Sequence, residues 1–256
     1  MKAFRRIQQC NALVLSDGNM NTVDEVMFEL KRLGSEQTRK TFARHGAPID
    51  DMFGVKVGDM KTIVKKIKGN QSLTMDLYET GNADAMYLAG LVADGSKMSK
   101  KHLETWAKNA SWQMISEYTV PWVASESPYG RELAMKWIKS KDPKIASTGW
   151  ATYSSIVAIR PDDDLDLSEI ESLLTLVSEK VHQADGRVAY TMNGFVISIG
   201  SYVQPLLKKA KEIAKKIGTV KVDMGDTACK VPVATDYIAK VESMSKVGVK
   251  RKTSRC

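Results

Sequence analysis

Runs of helical periodicity separated by very short breaks constrain this chain more than any other feature of its sequence. Val23, Val26, Met27 and Leu30 recur at three- and four-residue steps over 22–33, and Met60, Ile63, Val64 and Ile67 do the same over 59–68. Further helices are predicted over 82–93, 99–108, 111–124, 129–139, 143–159, 167–182 and 186–202. Pro205 opens a helix ending near Gly218, and Pro232 opens one reaching Met244. Proline suits the first helical position because the N–H it lacks would be unpaired there anyway. The breaks, such as Gly81-Asn82, Gly95-Ser96 and Lys141-Asp142, are so short that consecutive helices must lie antiparallel. The nearest approach to a strand pattern is Thr219 to Val222. Helical pairs of roughly 35–45 residues predict an all-α solenoid of stacked hairpins. A non-repetitive helical bundle is the alternative.

The expected domain is a single unit over 22–244, flanked by an N-terminal segment, 1–21, and a basic tail, 245–256, both read as disordered. The net charge of +8 belongs to those ends. Lys2, Arg5 and Arg6 lie at one, and Lys246, Lys250, Arg251, Lys252 and Arg255 at the other, with no acid beside them. Removing them leaves a neutral body, so any polyanion must be met through local patches. Three such patches are legible. Lys61, Lys65 and Lys68 form one helical stripe, Lys208, Lys211 and Lys215 another, and Lys136, Lys139, Lys141 and Lys144 cluster about one turn. Acids gather at Asp162, Asp163, Asp164, Asp166, Glu169 and Glu171. Such segregation suits a nucleic-acid-facing surface, although each stripe alone also fits the wet side of an amphipathic helix.

Other chemistries leave no trace. The cysteines are three and far apart, and no CxxC pair exists. No phosphate-binding glycine loop is present, and no metal or cofactor is expected. The apolar run Ala12 to Leu15 is too short for a secretory signal, and no apolar stretch could span a membrane, so the expected location is the cytoplasm.

Four segments carry a resemblance. Phe53-Gly-Val-Lys-Val-Gly-Asp-Met leads into a basic amphipathic helix. Ala110-Ser-Trp-Gln-Met-Ile-Ser-Glu-Tyr-Thr-Val-Pro, Trp137-Ile-Lys-Ser and Gly194-Phe-Val-Ile follow in order. Together, over about residues 35 to 217, they resemble the AlkD-like DNA alkylation repair family. The resemblance implies a HEAT-like superhelix whose concave face grips duplex DNA. Active members excise positively charged alkylated purines without drawing the base into a pocket, while a carboxylate stabilises the cationic sugar and aromatic side chains contact it.

Carried over by position, the resemblance places the catalytic carboxylate on Glu117, the first aromatic of the cradle on Gln113 and the second on Phe195. A DNA-facing arginine falls near Ser147. Trp112 matches a neighbouring tryptophan and is expected in the core. The site is thus altered, with an extra methylene, a lost aromatic wall and a missing charge. Three functions stay open: a DNA-binding relative of the alkylpurine glycosylases, an active glycosylase using Glu117, and a protein-interaction scaffold. The expected partner is duplex DNA, damaged or branched, and the expected state a monomer.

Overall fold

In the computed structural model, residues 18–255 are described, so the first seventeen residues of the N-terminal segment lie outside it. Thirteen α-helices follow one another among the described residues, with no strand. They are α1 (Val23–Leu33), α2 (Glu36–Ala43), α3 (Val57–Ile67), α4 (Gln71–Glu79), α5 (Ala83–Val92), α6 (Lys100–Asn109) and α7 (Val120–Ser125). After these come α8 (Gly130–Ile138), α9 (Pro143–Ile159), α10 (Leu167–Lys180), α11 (Gly186–Tyr202), α12 (Leu207–Ile217) and α13 (Ala234–Ser243). A π-helical turn, Ile115–Thr119, runs directly into α7. The segment 219–222 forms no strand.

The local sequence explains where the helices begin. Thr22, Ser35, Asn70, Asn82, Ser99, Asp142, Asp166 and Asp185 each turn a side-chain oxygen back to a first-turn backbone N–H. These donors have no partner within their helix, so the short polar residues that cap them define the boundaries.

Packing arranges the helices in two layers. One layer runs α5, α7, α9 and α11, each packed on the next, and α13 closes it against α11. The second layer lies behind, with α4 on α5, α6 on α7, α8 on α9, and α10 and α12 on α11. Two hydrophobic clusters form the core and meet at α8, where Trp137 belongs to the first and Ala134 to the second. Tyr78 ties α4 to α6, its ring stacked on Trp106 at 3.9 Å and its hydroxyl donating to the Trp106 carbonyl at 2.7 Å.

α8 and α9 approach each other closely at Gly149. A Cβ on Gly149 would lie 2.5 Å from the Ile138 nitrogen, a backbone atom that cannot swing aside. Gly149→Ala should therefore destabilise the protein by about 1–3 kcal/mol through overpacking. Urea denaturation checks this, and an unchanged midpoint would show that α8 and α9 can part without cost.

The chain end departs from the disorder expected of it. Residues 246–255 form a strap across the C-terminal ends of α11, α9, α7 and α5 in turn. The Gly248 N–H donates to the Ser201 carbonyl, and the Arg251 N–H to that of Ala158. Lys250 Nζ reaches the Val157 carbonyl at 2.9 Å and Asp162 at 2.7 Å. The buried Ser254 hydroxyl donates to the Trp122 carbonyl. Arg255 donates to the carbonyls of Gly90 and Ala93 and pairs with Glu126. Helix-terminal carbonyls have no intrahelical donor, and a basic sequence supplies donors to them. Composition reads such a segment as mobile because it sees the charges and not the acceptors waiting for them.

Candidate functional site

A groove lies over α7, α9 and α11. The π turn and α7 bring Glu117, Tyr118 and Trp122 to it. Ala151, Ser154, Ser155 and Ala158 come from α9, and Tyr190, Thr191, Gly194, Ser198 and Tyr202 from α11. The spacings of three and four keep each set on one helix face. The floor is made of alanine, serine and glycine, which leaves room for something to approach the backbone. The half-buried Tyr118, Tyr190 and Tyr202 share the lining, and Arg251 and Ser254 of the strap border it.

Glu117 is the chemical centre of this groove. Its side chain is only 3% exposed and Arg187 grips it with both ends of the guanidinium, Nε donating at 2.8 Å to one carboxylate oxygen and Nη2 to the other. Such bidentate pairing fixes geometry as well as charge. The guanidinium carbon stands 4.3 Å from the centre of the Tyr190 ring, which adds a cation–π contact. Burial pushes the Glu117 carboxyl above the usual carboxylate range, with Arg187 pulling the other way. Burial also pushes the Tyr118 hydroxyl up, and Tyr190 and Glu117 add to this.

The other residues singled out from the sequence fall elsewhere. Phe195 is fully buried, packed edge-on against Trp150 at 5.2 Å and Tyr153 at 5.7 Å. It is a core residue and cannot form a cradle wall. Its neighbour Gly194 faces the groove, and one residue turns a helix by about 100°. Gln113 is half-buried and lines a separate apolar cavity of about 220 Å³ with Phe42, His45, Tyr87 and Trp112. It shares no pocket with Glu117, which lies within the π turn itself. Ser147 is 1% exposed and spends its hydroxyl on the Lys144 carbonyl, so it cannot face a ligand. Trp112 is half-buried, tilted against Phe42 at 5.7 Å.

Nor do the lysine stripes line the groove. Lys61 and Lys65 are exposed on α3, and Lys68 is exposed at its C-cap. Lys208, Lys211 and Lys215 are exposed on α12 in the second layer, where Lys211 pairs with Glu242 of α13. Lys144 caps the carbonyls of Lys108 and Ala110 behind α6. The exposure of the α3 and α12 stripes is that of the wet faces of amphipathic helices. What sequence reasoning missed is the stripe Arg187, Tyr190, Gly194, Ser198, Tyr202, whose three- and four-residue spacing was legible, and the partnership of Arg187 with Glu117 across 70 residues, which was not.

Among the described residues no cluster of His, Cys, Asp or Glu could hold a metal ion, and no helix is long and apolar enough to cross a membrane. Two layers of helical hairpins with a carboxylate-bearing groove on one layer make a HEAT-like helical repeat fold. Residues 26–217 match the family described as DNA alkylation repair enzyme, and the chain belongs to that family. A solved structure from "a new family of proteins related to the HEAT-like repeat DNA glycosylases with affinity for branched DNA structures" superimposes with a TM-score of 0.84. It is 38% identical and covers 92% of this chain and all of its own. Uncharacterized protein Lin0241 of Listeria innocua is 34% identical over 229 residues, 88% of this chain and 99% of the relative. Uncharacterized protein Lmo0209 of Listeria monocytogenes is 34% identical over 232 residues, 89% of this chain and all of the relative.

Proposed function

We propose that the protein binds DNA through the groove over α7, α9 and α11, favours branched over linear duplexes, and does not excise bases. The observation that carries this reading is the buried Glu117–Arg187 pair. A carboxylate that stabilises a developing sugar cation must present unneutralised charge to it. Glu117 instead spends both oxygens on a guanidinium. Its family position is kept while its charge is already compensated. The small floor and surrounding tyrosines remain suited to a sugar–phosphate backbone, and the affinity of the 38% identical relative for branched DNA supports the same partner.

Fluorescence anisotropy with a four-way junction and a linear duplex of equal length tests the binding. We expect the junction to bind at least about tenfold more tightly. Contact with four to six phosphates gives a slope of log affinity on log salt of roughly −4 to −5. Duplex DNA carrying N7-methylguanine should release no free base above the spontaneous rate. Enzymatic release would overturn the non-catalytic reading, and salt-independent or absent binding would favour a protein-interaction scaffold.

A further inference from the structure

We propose that the C-terminal strap is part of the nucleic-acid interface, with a division of labour among the last four of its five cations: Lys250 and Arg255 anchor it, and Arg251 and Lys252 contact phosphate. This rests on the DNA-binding reading above. The anchors spend their charge internally. Lys250 pairs with Asp162 and reaches the Val157 carbonyl. Arg255 pairs with Glu126 and reaches the carbonyls of Gly90 and Ala93. Both therefore sit at the negative, C-terminal ends of helices, α9 and α5, where a cation is favoured. Thr253 and Ser254 add hydrogen bonds to Glu126 and Trp122.

The two cations between the anchors are held differently. Arg251 and Lys252 are exposed, and neither is ion-paired to a carboxylate among the described residues. Arg251 fixes its backbone N–H on the Ala158 carbonyl and turns its guanidinium only to the Arg255 carbonyl, leaving its charge uncompensated at the edge of the groove. Arg187, which pairs with the groove residue Glu117, has its charge already neutralised by it. The strap thus supplies uncompensated positive charge where the lysine stripes of α3 and α12 do not, and it presents that charge on backbone fixed from both sides. Preorganised cations lose less freedom on binding than cations on a loose tail.

Two double variants of the full chain separate these roles, each measured for junction affinity across 50–200 mM salt and for thermal stability. Arg251→Ala with Lys252→Ala should flatten the salt slope by about two, at about 0.9 per phosphate released. It should weaken binding at least about tenfold at low salt while leaving Tm unchanged. Lys250→Ala with Arg255→Ala should lower Tm by several degrees and leave the slope close to that of the parent. If both variants flatten the slope equally, the segment acts as a free polycation and the division of labour is wrong. If neither changes it, the strap is not at the interface. Loss of DNA binding by the parent would instead remove the functional reading itself, so the two failures are distinguishable.

Discussion

Replacing Arg187 with alanine should destabilise the protein by about 3–5 kcal/mol, the usual consequence of leaving one partner of a buried ion pair uncompensated. Glu117 is the partner left behind, its side chain only 3% exposed. Glu117→Gln alone should cost much less, because Arg187 is 26% exposed and can turn its charge to water. The double variant Glu117→Gln, Arg187→Ala should recover most of the single-variant loss, and the cycle would assign the difference to the pair itself. The pH dependence has a definite sign. Burial raises the Glu117 carboxyl, and removing Arg187 raises it further. Above that raised value the buried carboxylate is charged and the deficit is fully present. Below the usual carboxylate range Glu117 is protonated in both folded and unfolded chains and the deficit shrinks. Denaturation across acid and neutral pH measures this. A deficit under 1 kcal/mol at neutral pH, or one that grows as pH falls, would show that Arg187 does not neutralise Glu117.

Asp84→Ala should have an effect of similar size through a different cause. The Asp84 carboxylate, 3% exposed on α5, accepts three successive backbone N–H groups: Phe53 at 2.6 Å, Gly54 at 2.9 Å and Val55 at 2.9 Å. Burial raises its carboxyl, and those three donors oppose the rise. Alanine leaves three donors without an acceptor, at about 1–3 kcal/mol for each one that stays buried, so a loss of at least about 3 kcal/mol is expected. Asp84→Asn should recover only part, since its amide offers one acceptor and two unwanted donors. Thermal denaturation gives the magnitude, and hydrogen exchange at residues 53–55 locates it. Stability equal to the parent would mean that water replaces the carboxylate in this loop.

The sequence showed the architecture well because long amphipathic helices repeat their apolar residues often enough to be recognised. It passed over α2 and α4, which have only eight and nine residues, and in α2 a single buried position, Thr38. The site was legible only in part. Glu117 was found by its place in a motif and does line the groove. Gln113, Phe195 and Ser147 were found the same way and do not, since Phe195 and Ser147 are turned into the core by helix phase and Gln113 lines another cavity. The Glu117–Arg187 pair and the strap join residues far apart in the chain, and no local pattern announces such contacts.

The strap also changes how the whole array must come apart. In a stack of hairpins each unit touches only its neighbours, so stability is close to a sum of adjacent terms and the ends can fray one repeat at a time. Here a single segment holds α5, α7, α9 and α11 at once, and Arg255 reaches Gly90 across 165 residues of chain. Fraying of any one of these four helices is then coupled to units it never touches, and their unfolding becomes a more concerted event than the helical repeats alone would produce. The same closure forms late, because a contact across 165 residues can be made only after the hairpins it bridges are in place.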